Sequence, residues 1–128
     1  MNMFKKNGGF TLVELIVVIA ILAILAGVAV PVYSGYISKA NEAADVTQLD
    51  AVKTAAVFVH TENVAKNPNA TTADYTVNEI TVSKDGAVTV NGTTVDVTNY
   101  TTVAAFKSDK YKTNGAKWTP AGGWVENK

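Results

Sequence analysis

Residues 5–33 read KKNGGFTLVELIVVIAILAILAGVAVPVY, and everything else in the chain hangs from this stretch. From Leu15 to Ser38 there are 24 residues without a charged side chain, and the first 16 are almost all aliphatic or small. A bilayer core takes about 20 apolar residues as a helix, so the stretch is long enough to span with some tilt. A soluble helix that is apolar on every side needs a large protein wrapped around it, and the rest of the chain cannot supply one. Either a membrane or a bundle of protein helices must cover it.

The flanks carry direction. Lys5 and Lys6 precede the apolar run, with no acid among the first thirteen residues. By the positive-inside rule this keeps the N-terminus cytoplasmic and sends the C-terminal part across. Glu14 stands at the threshold, where a carboxylate at helix-centre depth costs roughly 2.5–3.5 kcal/mol and less near the interface. It therefore needs a partner, or must snorkel to the headgroups. Pro31 lacks an N–H and frees the carbonyl of Gly27, with Gly35 four residues further on. This predicts a kink over residues 27–35 that can unwind when such helices pack together; a merely tolerated membrane-helix kink is the plain alternative. An ordinary secretory signal peptide also has to be weighed. Leu15 to Ala29 has the length of its apolar core, and Gly27-Val28-Ala29 would suit a cut after Ala29. That mechanism requires neither Glu14 nor the Gly8-Gly9-Phe10 junction.

Composition narrows the functional classes. The chain has 128 residues with 11 Lys, no Arg and 11 acids, one His and no Cys. It therefore has no disulfide framework, thiolate nucleophile or Cys-ligated metal. One His rules out two-His metal sites and leaves at most one Ser-His-Asp arrangement, so the chain reads as structural rather than catalytic. The expectation is no catalytic residue, no metal and no cofactor.

The stretch quoted above resembles the N-terminus of type IV prepilins, in the pilin and pseudopilin superfamily. The resemblance covers about the first forty residues and rests on the basic leader, Gly9-Phe10, Glu14, the aliphatic run and Pro31. It implies that residues 1–9 are a leader cut after Gly9 by a membrane-embedded prepilin peptidase, with Phe10 becoming the N-methylated first residue. Losing Lys5 and Lys6 leaves 9 Lys against 11 acids, a formal balance of −2 before the termini. It further implies identical subunits as partners in a helical homopolymer, an assembly platform and motor, and the membrane in the stored state. Gly9 suits close backbone approach by a protease, and cleavage creates a positive amine at Phe10 that Glu14 of a neighbouring subunit can pair with. Phe10, Glu14, Gly27 and Pro31 are thus the candidate assembly residues. The same motif serves pseudopilins of type II secretion or competence systems. A secreted or tethered binding module is the reading from another class.

The expected organisation is a leader (1–9), an apolar membrane or filament-core helix (10–38) and a headpiece (39–128), making an α+β fold. Past Tyr36 the helix turns amphipathic: Ile37, Ala40, Ala44, Ala51, Ala55 and Val59 mark a buried stripe, and Lys39, Glu42, Asp45, Asp50 and Lys53 the other faces. The helix is expected to end near Glu62, before the breakers in residues 63–72. Strands follow at Tyr75–Val82, Ala87–Val90 and Thr93–Val97, joined through Asp85-Gly86 and Asn91-Gly92, with Val88, Val90, Val95 and Val97 on the helix side. Thr102–Tyr111 reads as a short helix with Val103, Ala104 and Phe106 inward. Lys117–Val125 reads as a hairpin through residues 120–123.

The remaining candidates have plain readings. Trp118 and Trp124 serve core packing ahead of an adhesive or carbohydrate patch. Lys107, Lys110, Lys112 and Lys117 make a solvated face; without Arg and with a negative balance, the chain is a poor specific partner for nucleic acid. His60 reads as a capping or packing residue. Three Asn-x-Thr sequons start at Asn69, Asn91 and Asn99, and Asn91-Gly92 is already spoken for by its turn. Asp85, Asp96 and Asp109 are scattered rather than spaced as a calcium loop.

Overall fold

The computed structural model describes residues 9–128. The chain divides into two compact units, one ending at Ile37 and the other Ser38–Lys128. Helix α1 (Leu12–Ala65) contributes to both. Among the described residues it is the one helix long and apolar enough to cross a membrane.

In the first unit every residue from Leu12 to Ile37 is exposed. Aliphatic residues on all sides give the helix no preferred inner face, so nothing within the unit can bury them. The helix continues through Pro31. A Cβ built on Gly27 or Gly35 meets no atom within 4 Å. Lys5 and Lys6 lie outside the described residues.

The second unit is α+β, as expected. Strands β1 (Ile80–Val82), β2 (Val88–Val90), β3 (Thr93–Val95), β4 (Ala116–Thr119) and β5 (Gly123–Glu126) form an antiparallel sheet in the order β3-β2-β1-β4-β5. The meander therefore forms one half, and the C-terminal hairpin extends it by pairing β4 with β1. Alternation places Ile80, Val82, Val88, Val90 and Ala116 on one face, buried with Val97, Phe106 and Tyr111 in a single core with α1. Asn91 (φ 49°) and Gly92 (φ 81°) both take the left-handed conformation that a two-residue hairpin turn demands. Gly115 (φ 80°) has a second reason to be glycine, because a Cβ there would collide with the carbonyl oxygen of Val82.

Four expectations are corrected. The buried stripe of α1 is Asp45, Leu49, Val52, Ala55, Ala56 and Val59, whereas Ile37, Ala40, Ala44 and Ala51 are exposed. The helix carries two stripes at three-to-four-residue spacing. The sheet takes the one with Leu49, Val52 and Val59, which buries more apolar area than alanines can. The helix also runs three residues past Glu62, to Ala65, with Lys66 paired to Glu62 at 2.7 Å where it ends.

The first strand is shorter than Tyr75–Val82. Thr72–Tyr75 forms a 3-10 turn, and pairing starts at Ile80. Local side chains win here. The Asp74 carboxylate accepts the N–H and hydroxyl of Thr71 at 2.6 and 2.9 Å. Asn91 Oδ1 accepts the N–H groups of Asn78 and Glu79, while its Nδ2 donates to the Thr76 carbonyl.

The proposed helix over Thr102–Tyr111 is also absent. Helix α2 is only Asp109–Lys112, and the chain before it is irregular, with Val103 half-buried, Phe106 buried and Ala104 exposed. The N–H groups of Lys107 and Ser108 go to a carboxylate on α1 instead of to a helical ladder.

Candidate assembly site

The N-terminal end of α1 brings together three of the residues singled out from the sequence. Gly9 and Phe10 are exposed and non-helical, and Thr11 leads into the first turn. Glu14 Oε2 accepts the Thr11 N–H at 2.9 Å, and Thr11 Oγ1 accepts the Glu14 N–H at 3.2 Å. This is a capping box: two backbone N–H groups that a helix N-terminus leaves unpaired each donate to the other residue's side-chain oxygen. The helix dipole adds a favourable field for a carboxylate there. Thr11-x-x-Glu14 ahead of an apolar run is a sequence signature of such a box, and the pattern reading missed it by treating Glu14 as a lone charge.

Gly27 and Pro31 are not part of this end. They lie one helical turn apart, about 20 and 25 Å along the axis from Glu14 at 1.5 Å per residue. Their place is the middle of the exposed apolar segment.

In the second unit the same helix carries the polar residues that hold the headpiece closed. Asp45, only 3% exposed, accepts three hydrogen bonds from the backbone of Lys107 and Ser108 at 2.7–3.1 Å. Gln48 Nε2 donates to the Ala104 carbonyl at 2.9 Å. Glu42 pairs with Lys110 at 2.8 Å, which holds that ammonium above its ordinary range. The tryptophans face each other across β4 and β5 and pack against the core. Trp124 Nε1 donates to Asp50 at 3.0 Å, and Lys53 Nζ sits 4.1 Å from the Trp118 ring centroid. His60 Nε2 meets the Asp74 carbonyl at 3.0 Å, tying the 3-10 turn to α1.

The lysine group is dispersed by pairing: Lys110 goes to Glu42 and Lys117 to Glu79 at 2.6 Å. Hydrogen bonds from Thr71 hold Asp74 below the usual carboxylate range, and those from Thr98 do the same for Asp96. A cleft of about 480 Å³ is lined by residues that include Gly86, Val88, Val95, Asp96 and Val103, with no histidine among them. Among the described residues no three His, Cys, Asp or Glu side chains are grouped to hold a metal ion.

Leaving the headpiece's own lower stripe uncovered, α1 presents Phe58 (54% exposed) edge-to-face against Tyr100 (53% exposed), centroids 5.1 Å apart. Ala51, Thr54 and Ala55 line the shallow groove beside them. The Thr47 and Thr54 hydroxyls donate to the carbonyls of Ala43 and Asp50 on their own helix, so this face exposes mainly methyl groups.

The residues around the Gly9-Phe10 junction and the apolar helix behind it can be compared with those of known proteins. The family profile described as the prokaryotic N-terminal methylation motif matches residues 4–30. A type IV major fimbrial protein, FimA of Dichelobacter nodosus, is 36% identical over 84 residues, covering 66% of this chain and 52% of that protein. A fimbrial protein of Pseudomonas aeruginosa is 44% identical over 52 residues (41% and 34%), and fimbrial protein Q of Moraxella bovis 55% over 47 residues (37% and 30%). The chain thus spans about half the length of the first of these relatives, and about a third of the other two. No solved structure matches it. The chain is thus similar to type IV fimbrial proteins over its N-terminal part, and that part carries the N-terminal methylation motif.

Proposed function

We propose that this chain is the structural subunit of a type IV pilus, with assembly rather than catalysis as its work. The observation that carries the reading is the uncovered apolar helix, Leu12–Ile37, directly behind a Gly9-Phe10 junction inside a methylation motif. Such a surface cannot stand in water. The subunit waits in the membrane with its N-terminus cytoplasmic and its headpiece outside. A prepilin peptidase and methyltransferase cuts after Gly9 and methylates Phe10, and an assembly platform and motor extracts the helix into a fibre of identical subunits. Lipid tails and aliphatic helices are comparably apolar, so this transfer is close to neutral in burial.

Packing and electrostatics then set the geometry. The capping box keeps the Glu14 carboxylate at the helix end, next to the amine that cleavage creates, where pairing with a neighbour's Phe10 rewards one axial stagger. Gly27 and Pro31 are the points where the helix can give. The bare stripe of the headpiece, with Phe58 and Tyr100, offers further apolar surface for packing in the fibre. The exposed remainder of the headpiece would meet surfaces in adhesion, motility or DNA uptake, with nucleic acid disfavoured as a specific ligand by the paired lysines.

The fimbrial names of the relatives favour a surface pilus over the piston of a secretion system. Immunogold electron microscopy of cells producing the chain tests this. Long fibres labelled along their length, and lost on deletion, are expected. Absence of fibres, together with loss of secretion or transformation on deletion, would instead establish a pseudopilin.

A further inference from the structure

Twenty residues, 96–115, separate β3 from β4, and their regular structure is the single turn of α2. The chain has no Cys, so no disulfide closes this segment. It is fastened by a row of polar side chains on α1. Glu42, Asp45 and Gln48 recur every three residues along the helix. They engage Lys110, then Lys107 and Ser108, then Ala104, so that residue numbers fall along the segment as they rise along the helix. Glu42 and Gln48 are half-buried and their hydrogen bonds are open to solvent, whereas Asp45 is buried.

The middle rung differs in kind. Among the described residues Asp45 is the one buried side chain that carries a charge, and burying an unpartnered carboxylate is strongly unfavourable. Its presence is explained by what it accepts: the Lys107 N–H, shared by both oxygens, and the Ser108 N–H at 2.7 Å. Those two donors sit beside the buried rings of Phe106 and Tyr111, 5.7 Å apart, where no sheet partner reaches them.

We propose that these three rungs form a clasp with Asp45 as its essential member, and that residues 98–112 are a strap that opens as a unit when Asp45 is lost while the five-stranded sheet stays folded. A carboxylate on the helix thus does here what a covalent crosslink would do in a chain with cysteines. Substitution by Asn keeps the size but offers one oxygen in place of two and turns an NH₂ group toward backbone donors. The two outer rungs cannot compensate, because their hydrogen bonds are open to solvent and compete with water.

The test is hydrogen exchange, read by mass spectrometry on the full chain in detergent micelles. In Asp45→Asn, exchange across residues 101–112 should rise by roughly tenfold or more, the scale of lost charge-assisted hydrogen bonds. Peptides covering β1 to β3 should keep their wild-type protection. Wild-type protection of residues 107 and 108 in D45N would overturn the proposal, as would equal loss in strap and sheet. Gln48→Ala removes an exposed rung without touching the core, and supplies the check if D45N does not accumulate. Its expected effect is a rise of about twofold to tenfold confined to residues 103–108. No rise, or one spreading into β1 to β3, overturns the clasp.

Discussion

The apolar half of α1 and the headpiece half meet the same physical demand, to remove hydrophobic surface from water, by opposite means. The headpiece covers Leu49, Val52, Ala56 and Val59 with its own sheet. Residues 12–37 leave every side chain exposed and depend on lipid or on other copies. The contrast continues around the helix within the headpiece itself, where one stripe lies under the sheet and another, through Ala44, Ala51 and Phe58, is bare. Substitutions in the covered region are therefore expected to act on folding, and those in the uncovered region on assembly.

The largest expected effect lies at the uncovered end. Glu14→Val deletes one side of the capping box and the charge proposed to pair with a neighbour's amine, while keeping the segment apolar. Fibres in sheared fractions should fall by about tenfold or more, the scale of a buried charge pair lost, with headpiece melting unchanged. If fibre yield survives, Glu14 serves only its own helix.

On the covered side, Leu49→Ala should cost about 2–5 kcal/mol of headpiece stability in denaturant unfolding, because the site is fully buried. Ala44→Ser, on the bare stripe, should stay within about 0.5 kcal/mol. Similar costs for the two would erase the distinction between the stripes. A smaller effect is expected at Trp124→Phe, which keeps the ring contact and loses the donor to Asp50. About 1 kcal/mol is the ordinary worth of such a bond, measured by the same unfolding.

Acid should act least. Asp74 and Asp96 are both held below the usual carboxylate range, so what their hydrogen bonds to Thr71 and Thr98 contribute is fully present above that range. It is lost as pH falls through the depressed values. Amide shifts of Thr71 and Thr98 should be flat from about pH 6 to 8 and move only below about pH 4, given ordinary carboxylates near 4. Movement near neutrality would contradict these assignments.

How far the sequence alone reached differs between the regions for the same reason. Residues 12–37 were legible because their apolarity is continuous and no choice of face has to be made. The hairpin at Asn91-Gly92 and the inward Val88, Val90, Val95 and Val97 were legible because turn chemistry and alternation are local. The buried stripe of α1 was legible only at Ala55 and Val59, since two apolar stripes share one spacing and only the shape of the sheet selects between them. Asp45 was assigned to the polar side because nothing local reveals that amides 62 and 63 residues away will come to it. The short helix expected over Thr102–Tyr111 failed for the same long-range reason. The capping box at Thr11 and Glu14 was readable and was passed over, its local pattern masked by attention to a lone charge in an apolar run.

The most direct test of the account is the mass of the first peptide of the protein recovered from native cell-surface fractions. The expected chain begins at N-methylated Phe10, with residues 1–9 removed. A chain beginning at Val30 would mean signal-peptide removal, and would contradict both the fibre core and every role assigned to Glu14, Gly27 and the helix around them.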